Sequence, residues 1–501
     1  MTTQKKRILI FVVAYKAEKT IQHVLARIPR ELCSRADIDL EVLVIDDCSS
    51  DRTFSEAVHT SRCYDIPVKV LVNPANLGYG GNQKLGYHYA ITQGFDAVAL
   101  LHGDGQYAPE YLPELLDPIL SGQSDVVFGS RMLKRGDALR GRMPLYKFVG
   151  NIVLTNIQNF LTGGKLSEWH SGYRIYSCKA LRNIPFDRNS NGFEFDTEII
   201  IQLMLARARI RELPIPTYYG DEISHVNGIS YALKIVWACM QSRLQKYGVL
   251  YDRKFDLAAE VAEPYQPKFH FPSSHSMALA AVTPGDKILI LGAGSVELVR
   301  PFVDKGCSVV AIELGDVREL QRICVRAIQG DLDELDLEGE LSDLHFDRVL
   351  ALDVIEHLKS PESLLERLRA LPGCAQSEFI FTVPNIAFIV MRAMLLLGFF
   401  NYGKRGILDR THTRLFTFSS MKHLCVQSNF RVVEMKGIPA PFPLALKDGS
   451  IFARALVVAN QLAISVWRAL FAFQIMCRAT VSPRVEDLLE ATERHSEGVQ
   501  L

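Results

Sequence analysis

The chain has 501 residues, too many for one ordinary hydrophobic core and enough for two or three domains. Hydrophobic residues make up 48% and charged residues 22%, which excludes a disordered chain and indicates a folded globular protein. The 56 basic and 56 acidic residues cancel, so bulk charge offers no argument for nucleic-acid binding and directs attention to small-molecule chemistry. Ten cysteines are spread singly, without a Cys-x-x-Cys pair; reduced thiols in a cytoplasmic compartment are expected, and no zinc site.

A polar, basic stretch at 1–7 precedes an apolar run at 8–14 that reads as a first β-strand, too short for a secretory signal and without a small-residue cleavage site. Strands are expected near 8–14, 41–46, 68–72, 97–101 and 125–128, alternating with helical stretches such as 17–28 and 81–93. The run at 42–45 ends in Asp46 and Asp47, and that at 98–101 ends in His102-Gly103-Asp104-Gly105-Gln106. The basic and aromatic segment 237–251, with Arg243, Lys246, Arg253 and Lys254 in or near it, suits either an anionic lipid surface or an ordinary solvated helix end. From 252 to 284 strand periodicity is lost and Pro264, Pro267, Pro272, Ser273, Ser274 and Pro284 accumulate, as in a linker. The expected division is a domain over 1–250, a linker over 251–275 and a second domain over 276–501. Beyond the linker, strands are expected near 287–291, 308–313, 347–352 and 378–383, with closing strands at 430–435 and 471–478. These runs end in Gly292-Ala293-Gly294, in Glu313 and in Asp353. Both halves read as α/β with mostly parallel sheets, which present ligand-binding groups at the carboxyl ends of their strands. Two further apolar segments, 386–400 interrupted by Arg392 and 451–470 interrupted by Arg454, Gln461 and Arg468, fall short of a membrane span; the reading preferred here is a buried amphipathic helix for each, over one lying on a membrane surface.

In the first half a set of motifs occurs in order: Val12-Val13-Ala14-Tyr15-Lys16-Ala17-Glu18, Val44-Ile45-Asp46-Asp47-Cys48-Ser49-Ser50-Asp51-Arg52-Thr53, Asn76-Leu77-Gly78-Tyr79-Gly80-Gly81-Asn82, His102 to Glu110, Gly129-Ser130-Arg131 and His170-Ser171-Gly172-Tyr173-Arg174. Together, over about residues 5–248, they resemble family 2 inverting glycosyltransferases of the branch related to dolichyl-phosphate-mannose synthase. The resemblance implies a GT-A-type nucleotide-sugar domain using Mg²⁺ or Mn²⁺, because negative charge builds on the departing diphosphate. It implies that Asp104 and Gln106 approach the metal, Asp46 or Asp47 the base or ribose, and Arg131 and Arg174 the phosphates. The family's acidic pair is Asp-x-Asp, and His102 stands where its first member should be, so the site is expected to keep a metal with altered preference. The acceptor stays open: a polyprenyl phosphate needs no strong base, whereas a sugar hydroxyl needs a carboxylate, for which Glu168, Glu194 and Asp196 are candidates. The last two equally suit a helix N-terminus.

In the second half, Lys287-Ile288-Leu289-Ile290-Leu291-Gly292-Ala293-Gly294 reads as a strand-to-helix turn whose glycines admit close approach of a ligand, followed by Glu313 at the next strand end, placed for ribose hydroxyls, and by Gly330-Asp331. Phe346-Asp347-Arg348-Val349-Leu350-Ala351-Leu352-Asp353-Val354-Ile355-Glu356-His357-Leu358, with Thr382-Val383-Pro384-Asn385 and His412-Thr413-Arg414-Leu415-Phe416-Thr417, resembles class I S-adenosylmethionine-dependent methyltransferases over about 276–480. The resemblance implies a Rossmann-like domain that holds S-adenosylmethionine through Gly292, Gly294, Glu313, Asp331 and Asp353, with His357 or His412 helping as base. Ile290 and Val296 replace an acidic residue and a glycine usual in that family.

The resulting expectation is a bifunctional enzyme on the cytoplasmic side of a membrane, with peripheral contact to it left open, that transfers a sugar from a nucleotide donor to a polyprenyl phosphate or glycan and methylates a sugar or related acceptor. The alternative keeps the glycosyltransferase and makes the second domain a non-catalytic binding module. A scaffold of two nucleotide-binding domains is disfavoured by the ordered donor-site acids.

Overall fold

Runs of Ile, Leu and Val in which successive side chains are all buried belong in the middle of a sheet covered on both faces. Strand β1 (Lys6–Ala14) is such a run, buried from Ile8 onward. The computed structural model describes residues 5–64, 66–217, 228–257, 267–445 and 451–482. The chain forms two compact units, Met1–Val261 and Ala262–Leu501.

In the first unit β1 is joined by β2 (Ile38–Asp46), β3 (Val68–Val72), β4 (Ala97–His102), β5 (Val126–Ser130), β6 (Arg174–Ser177) and β7 (Ile210–Pro214). The sheet order is β3-β2-β1-β4-β6-β5-β7, and β6 runs antiparallel to both of its neighbours while the other pairs are parallel. β1 lies between β2 and β4, so the connections turn opposite ways on its two sides and leave a crevice at the carboxyl ends of these strands. In that crevice Ala14 is level with Asp46 and Val13 with His102. One face of β1 (Leu9, Phe11, Val13) packs with Tyr87 and Phe195, and the other (Ile8, Ile10, Val12) with Ile21, Val24, Leu25 and Leu112. The helix Tyr79–Thr92 crosses Phe11 at Gly86, where a Cβ would fall 2.1 Å from the Phe11 ring.

The second unit contains β8 (Lys287–Leu291), β9 (Ser308–Glu313), β10 (Arg326–Gln329), β11 (Arg348–Leu352), β12 (Glu378–Pro384), β13 (Phe430–Ile438) and β14 (Gln474–Val481), in the order β10-β9-β8-β11-β12-β14-β13. Pairing is parallel through β12, and β14 is antiparallel to both β12 and β13. The crevice therefore opens between β8 and β11, whose ends carry Gly292 and Asp353.

The α/β architecture with mostly parallel sheets agrees with the sequence reading, while β6, β7 and β10 were not expected. Of the expected linker, 251–257 packs onto the first unit, where Phe255 and Leu257 join its core, and the helix Ser274–Ala281 starts from a capping box at Ser273; residues 258–266 lie outside the described residues. The expectation of two buried amphipathic helices is corrected. Helix Ile451–Phe471 buries Ala453 and Val457 but exposes Ile451, Phe452, Leu462 and Val466, and helix Ile389–Leu396 ends on Leu396, 88% exposed. Periodicity reveals that a helix has an apolar face but not whether anything covers it.

Gly86 sits where helix and sheet touch most closely. Gly86→Ala is expected to lower the unfolding free energy of the first unit by about 1–3 kcal/mol, the usual range for overpacking. Urea unfolding followed by tryptophan fluorescence measures it, and an unchanged midpoint would show that the helix is free to shift.

Candidate active sites

At the edge of the first sheet, Asp46 and Asp47 do different things. Asp47 is buried; its Oδ1 accepts from Asn73 Nδ2 at 2.7 Å and the Leu77 amide at 2.8 Å, and its Oδ2 from the Gly78 amide at 2.9 Å. Asp47 therefore clamps the loop that launches helix Tyr79–Thr92, and the expectation that it serves base or ribose equally with Asp46 is corrected. Asp46 accepts from the Ser49 hydroxyl and, at 3.4 Å, from the Ser49 amide. Burial raises its pKa against these bonds.

His102 ends β4 with its ring edge-on to Tyr79 and Tyr107, and burial holds its pKa below the ordinary value. The Tyr79 hydroxyl donates to Asp196 Oδ2 at 3.1 Å; having one proton, it accepts from His102 Nε2 at 3.2 Å, which leaves the histidine lone pair on Nδ1. Asp196 Oδ1 also accepts from Gln83 Nε2 at 3.1 Å and pairs with Arg174 Nη1 at 3.3 Å. Asp104 is exposed, its Oδ1 accepting the Gln106 amide at 3.0 Å. A hard oxygen ligand at this position fits Mg²⁺ or Mn²⁺. His102 lies near enough for the Asp104 charge to act on its ring.

The arginines are also reassigned. Arg174 is 1% exposed and donates to Ser171 O at 2.8 Å, Asp196 O at 3.0 Å and Trp169 O at 3.1 Å. Its fork is spent on the protein, so the expected contact with phosphates is corrected. Arg131 donates its amide to Glu168 Oε2 at 2.7 Å and its Nε to Oε1 at 3.0 Å, and Asn151 Nδ2 adds a bond at 2.8 Å. Burial pushes the Glu168 carboxyl up, but the Arg131 charge and these donors outweigh it and hold its pKa below the ordinary value of 4.5. Glu168 is thus an anchor for Arg131 and not a general base, and Asp196 is likewise committed to Arg174, Tyr79 and Gln83. Sequence reasoning missed Tyr79 and Gln83, although both stand in or beside a quoted glycine-rich motif.

In the second unit Gly292 has φ 64° and a Cβ there would lie 2.5 Å from Val354 Cγ2, so backbone and packing both demand glycine. Gly294 has φ 63°, and its amide donates to Glu313 Oε2 at 2.6 Å while the Gly315 amide donates to Oε1 at 3.0 Å. Glu313 so ties the turns after β8 and β9 together. Asp331 is half-buried and accepts the Asp333 amide at 2.9 Å. Asp353, at φ 58°, accepts from Thr382 Oγ1 and Gln474 Nε2, both at 2.8 Å, and from Ser274 Oγ at 3.1 Å. Asp353 binds its own fold first, a correction to its expected role on a ligand; Ser274, Thr382 and Gln474 carried no signal in the sequence linking them to it.

His357 and His412 are brought together, ring centroids 4.8 Å apart. Nδ1 of His357 lies 3.2 Å from Thr411 O and Nδ1 of His412 3.0 Å from Ile407 O. Burial lowers the His412 pKa, the neighbouring His357 adding to the effect. Glu356, which the sequence reading quoted but did not assign, is buried beside them, and its two carboxylate oxygens have no hydrogen-bond partner.

Residues 9–185 match the family described as Glycosyl transferase family 2, and residues 265–435 match the Methyltransferase domain family. The chain is 35% identical over 182 residues to the low-salt glycan biosynthesis hexosyltransferase Agl6 of Haloferax volcanii, covering 36% of this chain and 40% of that protein. It is 26% identical over 253 residues to the UDP-N-acetylglucosamine–dolichyl-phosphate N-acetylglucosaminyltransferase of Methanococcus voltae, covering 48% of this chain and 98% of that protein. It is also 26% identical over 253 residues to the undecaprenyl-phosphate mannosyltransferase of Micrococcus luteus, with 48% and 99% coverage. Among solved structures, glucosyl-3-phosphoglycerate synthase from Mycobacterium tuberculosis with Mn²⁺, uridine diphosphate and phosphoglyceric acid aligns with a TM-score of 0.35 at 17% identity, covering 47% of this chain and 78% of that one.

The Glu168–Arg131 pair generates a pH dependence. Because the folded-state pKa of Glu168 lies below its unfolded value, its contribution is fully present above pH 4.5 and is lost as pH falls through the folded pKa. Glu168→Gln removes the buried carboxylate that Arg131 faces and is expected to destabilise the chain by about 3–5 kcal/mol at pH 7, with a smaller difference from the unsubstituted chain in acid. Urea titrations of both chains at pH 7 and in acid test this; equal stability at pH 7 would refute the anchoring role.

Proposed function

This chain joins a family 2 glycosyltransferase domain to a methyltransferase domain, and we propose that both are active in one bifunctional enzyme. The first domain, over 1–250, transfers a sugar with inversion from a nucleotide-diphosphate donor to a polyprenyl phosphate. The second, in the unit Ala262–Leu501, moves a methyl group from S-adenosylmethionine to a sugar or related acceptor.

The observation that carries the first assignment is Asp104, an exposed carboxylate at the carboxyl end of β4 where the sheet connections diverge. Asp104 and Gln106 would hold Mg²⁺ or Mn²⁺, which supplies positive charge for the departing diphosphate. Asp46, two strands away and less committed than Asp47, orients the nucleoside. The two curated relatives matched along nearly their whole length are named for transfer to dolichyl or undecaprenyl phosphate. An anionic acceptor also suits the chemistry of the site: it attacks without losing a proton, and the two buried carboxylates considered as bases, Glu168 and Asp196, are tied to arginines.

Membrane contact follows from the same acceptor. Helix Leu145–Thr162 exposes Tyr146, Val149, Val153, Ile157 and Phe160 on one stripe, Phe160 being 74% exposed, and helix Gly228–Gln245, packed against it, exposes Ile229, Leu233 and Trp237. No helix among the described residues is long and apolar enough to cross a membrane. We assign these faces to peripheral attachment at the cytoplasmic leaflet, where a polyprenyl chain is anchored.

For the second domain, Gly292, Gly294, Glu313 and Asp331 surround the crevice at the end of β8, and Asp353 fixes its far wall. S-adenosylmethionine supplies the activated methyl group when bound; these residues hold and orient it. One observation favours a second reading, a non-catalytic module: Ile290, where an acid is usual, is buried in β8 and offers no polar group to a ligand.

Two experiments separate the readings. Asp104→Ala is expected to lower sugar transfer to a polyprenyl phosphate by roughly 10²–10³-fold, the scale of losing one stabiliser of developing charge; full activity in the variant would overturn the assignment of the donor site. Calorimetric titration with S-adenosylmethionine is expected to show binding that Glu313→Ala loses. Absence of binding to the folded chain would leave a glycosyltransferase with an appended module.

A further inference from the structure

We propose that Glu356, His357 and His412 form a binding site for one divalent first-row transition-metal ion at the carboxyl edge of the second sheet. One ligand atom from each residue lies within 4.8 Å of the others, and no other trio of His, Cys, Asp or Glu among the described residues gathers so closely. The spread is wider than in a loaded centre, where ligand bonds are about 2.0–2.2 Å, so binding would draw the three side chains closer.

Two independent features favour a cation at these side chains. The first is the state of the imidazoles. A backbone carbonyl is an acceptor, so the contacts of His357 Nδ1 with Thr411 O and of His412 Nδ1 with Ile407 O place the ring protons on Nδ1. Both rings then present the Nε2 lone pair, and a carbonyl behind a ligating histidine is the usual outer support of a metal ligand. The second is Glu356. Its side chain is 1% exposed, and neither carboxylate oxygen has a hydrogen-bond partner. An ionised carboxylate so placed costs several kcal/mol without a counter-charge, and a cation supplies it.

The local backbone holds the three together. Glu356 and His357 lie in the single turn Ile355–His357 after β11. The Glu356 carbonyl accepts from the Thr413 amide at 2.8 Å and from the Arg414 amide at 3.1 Å, which pins the segment carrying His412 against that turn. Two imidazole nitrogens and one carboxylate oxygen form a borderline donor set that suits Zn²⁺, Mn²⁺, Fe²⁺ or Co²⁺ better than the all-oxygen preference of Mg²⁺ or Ca²⁺. Three protein ligands leave positions for oxygen ligands. If the second domain transfers methyl groups as proposed above, a hydroxyl of the methyl acceptor fits there, since coordination lowers its pKa. The site itself does not depend on that reading. It is an alternative to the general-base role expected for the two histidines and to the expectation, drawn from cysteines alone, of no such site.

The test is titration of the full chain carrying Asp104→Ala, so that the first unit's carboxylate does not contribute, with Co²⁺ and Zn²⁺. One equivalent of Co²⁺ with visible absorption of a nitrogen and oxygen ligand field, displaced by Zn²⁺, is expected. Glu356→Gln and the double variant His357→Ala/His412→Ala, checked for folding by circular dichroism, are each expected to weaken binding by roughly 10–100-fold or more. Failure of the folded chain to bind, or undiminished binding in folded Glu356→Gln, would overturn the proposal and leave Glu356 a buried neutral acid. S-adenosylmethionine titrated into the same samples reports separately on donor binding.

Discussion

Parallel strand alignment is the constraint from which the rest of this structure follows. It brings the carboxyl ends of β1, β2 and β4 to one edge of the first sheet and those of β8, β9 and β11 to one edge of the second, so side chains far apart in sequence meet there. Each sheet also contains a reversed strand, and a reversed strand begins where its neighbours end. Arg174 opens β6 at that edge and reaches Asp196; Gln474 opens β14 and reaches Asp353. The same topological device supplies a donor to an acidic residue in both units.

The two edges differ in how their buried charge is settled. In the first unit Arg131 faces Glu168 and Arg174 faces Asp196, with amides, carbonyls, Tyr79 and Gln83 completing the shells. Low dielectric strengthens these pairs and makes each partner expensive to remove. Asp104, by contrast, stays exposed. In the second unit Asp353 is fully engaged, whereas Glu356, nearby in the same turn, has no bonding partner for its carboxylate. The buried acids of the first edge are thus paired, whereas burial without a partner pushes the Glu356 carboxyl well above its ordinary range.

Much of the fold was legible because long β-branched runs have few alternatives: 8–14, 287–291 and 308–313 become strands with nearly the expected bounds. β6 and β10 were not legible, being four residues each, both starting on arginine and β10 only half-buried, and β7 alternates Arg, Glu and Leu at partial burial. The apolar faces at 389–396 and 451–471 were visible but their exposure was not. For the sites, the motifs put Asp46, Asp104, Gly292, Glu313 and Asp353 at strand ends, where the structure has them. Residue type did not say which way Arg131 and Arg174 point, and a guanidinium looks the same in a sequence whether it meets a phosphate or a carbonyl.

The sequence by itself determined two α/β units, the positions of the strand ends and the kinds of groups placed there, because hydrophobic period and turn residues are local properties of the chain. Tertiary structure alone decided which of those groups remain available. Whether a carboxylate is a base, an anchor or a metal ligand depends on groups contributed by distant segments: Arg131 for Glu168 and Arg174 and Tyr79 for Asp196, which only folding brings within bonding distance, and His412, which folding brings within 4.8 Å of Glu356.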